Sequence, residues 1–410
     1  MQARGGIRTR ALAAIAASTA LICGAAGAAA AGPPEHWPTG GWPKGAPAAV
    51  GLDAGALAAL DADFASGKYA LVDSFQVFRC GAEVYDRRYA HDYGTVYGKE
   101  ARTRGPLNAR LSGRYNYFDP AWHPYYHGSE LHTMQSVSKT VTSIIFGIAM
   151  TRGDFKAGVD SPVLSWFDAA KVKNVDDRKR RMTLKHVLTM TTGLAWTEDV
   201  PYDDPRSDSS LMEATDDWVQ YVIDKPMATE PGKTFNYSSG ATELLAHIFH
   251  KETGQDIDAY GQKYLFGPLG IKHHWKRTYQ GVVDTEGGLY LSGADLAKLG
   301  YLYLHDGRWA GRQIVSRDWV KQSLVPFVDT GWQGLKYGYK WWLYPRSDGQ
   351  LVWMGIGFGG QRLMVFPAED TIATFTGWNI LDDPALEATL VQRLLPALTT
   401  AACGPPPPAH

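Results

Sequence analysis

The chain has only three cysteines in 410 residues, no excess of either charge (41 lysines and arginines against 42 acids), and no long uninterrupted apolar run. The even charge lacks the basic footprint of a nucleic-acid binder. Its one basic cluster, Lys171, Lys173 and Arg178 to Arg181, is broken by Asp176 and Asp177 and reads as a solvated loop. There is no GxSxG elbow, no HExxH, no P-loop and no GxGxxG ahead of a helix, which leaves out the best-known hydrolase, metalloprotease and nucleotide-binding signatures. His247 and His250, and His273 and His274, have no carboxylate or cysteine at ligand spacing, so no metal and no cofactor is expected.

What the N-terminus does have is Arg4, Arg8 and Arg10, then an Ala/Ile/Leu run from Ala11, then small residues through Ala28 to Ala31, with no acid in this stretch. That order reads as a secretory signal peptide over residues 1–31 and implies a periplasmic or secreted protein. The run is interrupted by Ser18, Thr19 and Gly24, too weak to hold a span of about 20 apolar residues. Cys23 lacks the small preceding residue of a lipid-attachment site. Cys80 and Cys403 remain after cleavage, in a compartment where disulfides persist. They read either as a bridge or as two unrelated thiols.

Residues 32–48 form a Pro/Gly-rich leader, and residues 399–410 (TTAACGPPPPAH) a disordered tail. Between them, LDAGALAALDADF places Asp53 as the cap of a helix, and Ala70 to Arg79 with Ala82 to Tyr89 forms a hairpin around Cys80 and Gly81. An insertion from Arg87 to Glu130 carries Tyr93, Tyr97, Tyr115, Tyr117, Phe118, Trp122, Tyr125 and Tyr126. Such an aromatic loop either walls a pocket or packs over the body. Apolar spacings of three and four then predict helices in TVTSIIFGIAM, TLKHVLTMTTGL, ATELLAHIFHKETG and SGADLAKLGYLYLHDG. Strands return at Leu351 to Ile356, Gln361 to Phe366 and Thr371 to Trp378, before a helix from Pro384 to Leu398. The expected fold is α+β, an α/β sandwich: one antiparallel sheet from both ends of the domain (49–150 and 330–398), flanked by helices, with an all-helical subdomain (151–329) inserted.

Three short stretches carry chemistry. Ser136-Val-Ser-Lys139 opens a helical run, so Lys139 lies one turn beyond Ser136 on the same face. A lysine with a lowered proton affinity can take the proton from such a serine, and the helix N-terminus favours an oxyanion. Ser138 is a rival that points away. Phe235-Asn-Tyr237-Ser-Ser239-Gly240 offers the Tyr237 phenol as a proton carrier. Gly355-Ile-Gly357-Phe-Gly359-Gly-Gln361 leads into a strand, where the backbone N–H of Gln361 could join that of Ser136 in an oxyanion hole. Each stretch alone also has a plain structural reading: a helix cap, a packed tyrosine, a hairpin turn.

Together, in this order and spacing, the three resemble the class C β-lactamase and penicillin-binding protein superfamily, in its esterase and 6-aminohexanoate-dimer hydrolase branches. TLKHVLTMTTGL, PGKTFNYSSGATELLAHI, GGLYLSGADLAKLG and YGYKWWLY extend the resemblance from about Ala49 to Leu398. It implies the β-lactamase/transpeptidase-like fold, Ser136 and Lys139 as the SxxK nucleophile and base, and Tyr237 as the tyrosine of YxN. Phe358-Gly359-Gly360 then falls where β-lactamases have KTG, on the substrate side of the site.

Two departures bear on substrate. Ser239 stands for the asparagine that in β-lactamases reaches the acylamide chain, and Phe358 for the lysine that helps hold the β-lactam carboxylate. Losing that cation costs a few kcal/mol of binding, so a small-molecule ester or amide of apolar or aromatic character fits better. A peptidoglycan-related peptidase or weak β-lactamase is a second reading, and a non-catalytic binding member of the superfamily a third.

Overall fold

A computed structural model describes residues 37–398 and Cys403. The expected signal peptide, and the tail apart from Cys403, lie outside the described residues.

Asp53 caps α1 (Ala54–Ala65), its side chain accepting from the N–H groups of Gly55 and Ala56. The hairpin follows as β1 (Val72–Arg79) and β2 (Ala82–Arg88). The helical middle of the chain supplies α2 (Val137–Arg152), α3 (Ser239–Thr253) and α4 (Gly293–Leu304). Six more strands come from the C-terminal part: β3 (Val328–Asp329), β4 (Lys336–Tyr337), β5 (Trp342–Pro345), β6 (Leu351–Gly357), β7 (Gln361–Phe366) and β8 (Thr371–Gly377), then α5 (Glu387–Leu394). All eight strands form one antiparallel sheet in the order β2-β1-β8-β7-β6-β5-β4-β3. The expected union of the two chain ends is the β1–β8 pairing, with Phe75 opposite Phe375.

One face of the sheet is covered by α1 and α5, where Leu57, Leu60, Phe64, Leu390, Val391 and Leu394 meet Phe75, Val77, Met364, Phe366 and Phe375. The other face meets α4 and α2, whose apolar residues merge with the core of the helical region. Helix α2 is buried along almost its whole length, from Val137 to Ala149. Such a helix holds its first turn in a fixed place, because any shift would break close packing along its sides.

Three sequence expectations change in detail. The region 151–329 is not all-helical: short strands at His274–Trp275, Leu289–Leu291, Arg308–Trp309 and Arg312–Gln313 interrupt its helices, and Val328–Asp329 joins the edge of the main sheet. TLKHVLTMTTGL is helical only over Leu184–Leu188. Met190 is left-handed at φ +58°, and the Thr189 hydroxyl donates to the Lys185 carbonyl and accepts from that of Thr191, the local bonding by which threonine competes with helix continuation. The last helix begins at Glu387 rather than Pro384. Cys80 and Cys403 are joined in a disulfide that links the β1–β2 turn to the C-terminal segment.

Candidate active site

Ser136 is the N-cap residue of α2. The chain reaches it from a short strand, His132–Thr133, through Gln135, a non-glycine residue in the left-handed region at φ +46°. That tight turn sets the hydroxyl at the cleft rather than in the core. Ser138, the rival, is fully buried and accepts a hydrogen bond from the Leu289 N–H.

Lys139 is buried, and its Nζ is 2.7 Å from Ser136 Oγ, 3.0 Å from Ser239 Oγ, 2.8 Å from the Glu286 carbonyl and 3.2 Å from Glu286 Oε2. Four oxygens around one amine leave it no freedom to swing. The Tyr237 ring lies 5.2 Å from the same Nζ. Burial first, then the Glu198 carboxylate, pushes the Tyr237 phenol well above its usual range, partly offset by its hydrogen bond with Ser136. The phenol therefore keeps its proton at neutral pH. Ser136 and Lys139, one helical turn apart, stand together with Tyr237 from a distant part of the chain.

Ser239 lines a cavity beside Ser136. Its hydroxyl and N–H donate to Glu198, at 2.6 and 2.7 Å. Glu198 also accepts from Trp196 Nε1 and the Tyr202 hydroxyl, and removal from water raises its pKa. Gly240 makes this approach possible: a Cβ there would lie 2.5 Å from the Trp196 ring.

The glycine-rich turn is arranged differently from the sequence expectation. Gly357 and Gln361 pair across β6 and β7, so the turn is Phe358-Gly359-Gly360. Gln361 is fully buried, its side-chain amide bonded to the Phe358 and Gly377 carbonyls, and lines neither cavity at Ser136. Gly359 and Gly360 pack against Trp378 and Asn379, and the Gly359 N–H is taken by Asp383. Phe358 is the residue of this turn that reaches the cleft, where it lines both cavities. A Cβ on Gly357 would sit 2.4 Å from the Met134 carbonyl, so glycine there lets the turn close on the segment leading to Ser136.

The narrower cavity is walled by Leu107 and Tyr117 of the aromatic insertion, with Gln135, Ser209, Ser210, Glu213 and Glu286. The insertion thus does both things considered for it: Tyr117 lines the cavity, while Tyr97 and Trp378 tie it to the body. Tyr117 donates to Glu213 at 2.6 Å. Burial, then the Glu286 charge, raises Glu213 well above the ordinary carboxylate range.

Glu198, Glu213 and Glu286 were not singled out in the sequence. Glu198 and Glu286 sit in irregular segments and Glu213 ends a six-residue helix, Asp208–Glu213, and Glu286 reaches Lys139 from 147 positions away. Among the described residues the one cluster of potential metal ligands is Cys80, Asp370 and Cys403, and its two sulfurs are spent in the disulfide. His247 bonds the Trp166 carbonyl and His273 bonds Asp258.

An antiparallel sheet between helices, with a buried amine on a serine hydroxyl at a helix N-terminus, defines the β-lactamase-like class, whose members are serine hydrolases. The family model named Beta-lactamase matches residues 73–379, and the chain belongs to that family. It is similar to the 6-aminohexanoate-dimer hydrolase of Paenarthrobacter ureafaciens, 25% identical over 262 residues, 59% of this chain and 64% of that protein. A 6-aminohexanoate-dimer hydrolase-like structure from Bacillus anthracis superposes with a TM-score of 0.57 at 16% identity, over 82% of this chain and 80% of the other. EstCE1, a hydrolase with promiscuous acyltransferase activity, does so at 0.61 and 12% identity, over 82% and 96%. At such identities the structural likeness concerns the fold.

Proposed function

We propose that the protein hydrolyses an ester or amide through an acyl-enzyme on Ser136, with Lys139 as base and Tyr237 as proton donor to the leaving group. The observation that carries this reading is the buried Lys139 Nζ, 2.7 Å from Ser136 Oγ. Its other contacts are oxygens of Ser239 and Glu286. Because Ser239 gives its one hydroxyl proton to Glu198, it can only accept from Lys139. If Lys139 gives up a proton, its two remaining N–H bonds can stay on Ser239 and the Glu286 carbonyl while its lone pair faces Ser136. The Ser136 and Phe358 N–H groups, which make no hydrogen bond among the described residues, would hold the oxyanion.

A β-lactamase or peptidase reading is less well supported, because Phe358, which lines both cavities at Ser136, offers no charge to a substrate carboxylate. We also place the protein outside the cytoplasm, on the pattern of residues 1–31 and the disulfide.

Incubation with a fluorophosphonate probe and p-nitrophenyl acetate tests the class. Covalent labelling of Ser136 in the intact-mass and peptide spectra is expected; absence of both labelling and turnover would remove the hydrolase reading. The role of Glu198 has its own signature. Its raised pKa means that acidification neutralises it sooner than an ordinary carboxylate, and the Ser239 hydroxyl then loses its acceptor. The acid limb of kcat/KM should fall above the usual carboxylate range, and Glu198→Gln should lower activity and flatten that limb. An unchanged limb in the variant would assign it to another group.

A further inference from the structure

The two cavities that meet at Ser136 differ in size, in lining and in which reacting group they touch. The narrow one has a free volume of about 20 Å³, room for about one water-sized or methyl-sized group. The wide one has about 660 Å³. Ser136, Tyr202 and Phe358 stand on the ridge between them, and Tyr237 lines only the wide one.

From this asymmetry we infer that the substrate is a short-chain acyl ester or amide of a bulky aromatic alcohol or amine that carries no negative charge: the acyl group enters the narrow cavity and the leaving group fills the wide cleft. The inference rests on the hydrolase reading above and adds the direction in which the substrate lies.

The tetrahedral carbon formed on Ser136 has four substituents. One is Ser136 Oγ, and one is the oxyanion at the Ser136 and Phe358 amides. The leaving atom must face the phenol that protonates it, and the Tyr237 phenol opens on the wide cleft. The acyl carbon is left with the remaining direction, toward Glu213, Leu107 and Tyr117. In the step itself the Ser136 Oγ–carbon bond forms, and the carbon–oxygen or carbon–nitrogen bond of the leaving group breaks. The Ser136 proton passes through Lys139 and Tyr237 to the leaving atom. Water then attacks the acyl-enzyme, releasing the short acid and restoring the serine.

The wide cleft is built for an aromatic group. Tyr237, Trp342 and Trp332 form a continuous wall, with ring centroids 5.5 and 5.3 Å apart, and Phe235 meets Trp342 at 5.8 Å. Phe358, braced edge-on by Tyr202 at 4.6 Å, faces the same space. Walls of this kind favour planar apolar ligands through stacking and edge contacts. The one cationic residue among the lining, Arg362, is already paired with Glu387 at 2.6 Å and with Asp383 at 3.7 Å. It has no charge to spare for an anionic leaving group.

Two isomeric esters, 2-naphthylmethyl acetate and methyl 2-naphthylacetate, test this directly, since they place the same ring on opposite sides of the ester bond. The full chain is expected to hydrolyse the acetate with a kcat/KM higher on the order of 100-fold. Leu107→Ala should raise the rate on 2-naphthylmethyl butanoate relative to the acetate, and Trp332→Ala should lower the rate on 2-naphthylmethyl acetate relative to ethyl acetate. Equal or reversed preference between the isomers, with Ser136 still labelled by the fluorophosphonate, overturns this inference and leaves the hydrolase reading standing. Failure of labelling overturns both.

Discussion

Lys139→Ala is expected to lower kcat for an activated ester by roughly 10³-fold to 10⁵-fold, Ser136→Ala by at least as much, and the double variant no further than the worse single one. Non-additivity follows from the geometry. Lys139 acts only through the proton of Ser136, so once either is gone the other has nothing left to do. The control is stability. Lys139 compensates the buried Glu286 carboxylate at 3.2 Å, and deleting one partner of a buried pair costs about 3–5 kcal/mol. Lys139→Ala should therefore also melt earlier, whereas Ser136→Ala, which removes only a hydroxyl at the cleft, should melt near the wild type. Turnover of the three variants, read beside their thermal unfolding, separates the chemical loss from the structural one. Additive losses in kcat would mean that Lys139 has a second task independent of the serine.

The second large effect concerns the Cys80–Cys403 bridge, which closes a loop with a sequence separation of 323. On the chain-entropy account a loop of that length stabilises the fold by about 6 kcal/mol, just above the range of roughly 2–5 observed on removing native bridges from small domains. Cys80→Ser with Cys403→Ser is expected to reduce the free energy of chemical unfolding by several kcal/mol and to lower its midpoint accordingly. Initial rates at low temperature should be little affected, because neither cysteine approaches Ser136. Denaturant unfolding of the double variant with and without reductant checks it: the variant should be insensitive to reductant, and the wild type should fall to the level of the variant. A wild-type curve unmoved by reductant would mean that the bridge contributes nothing to stability.

Much of the fold was legible in the sequence because its signals are local. The Asp53 cap, the Cys80–Gly81 turn and the apolar spacing of ATELLAHIFHKETG each depend on neighbours a few positions away. Ser136, Lys139 and Tyr237 were legible because two of them lie one helical turn apart and the third sits in a recognisable polar turn. What stayed hidden depends on register and on distant partners. The glycines of GIGFGGQ announced a turn, but only the Gly357–Gln361 pairing decides that Phe358 enters the cleft and Gln361 turns into the sheet. Glu198 and Glu286 become meaningful only when α2 and α3 bring Lys139 and Ser239 to them. A carboxylate in a loop carries no mark of the lysine it will meet.

The cleft divides its labour between the two kinds of structure. Ser136 and Lys139 belong to a helix sunk in the core, while Leu107, Tyr117, Tyr202, Trp332 and Phe358 hang on loops and turns above it. Loops tolerate replacement far better than packed helices do. On the hydrolase reading, natural variation can therefore redraw the substrate range by exchanging the rim, and a laboratory seeking a new specificity can confine its libraries to Leu107, Tyr117 and Trp332, sparing Tyr202, which holds Glu198, and Phe358, whose N–H would serve the oxyanion.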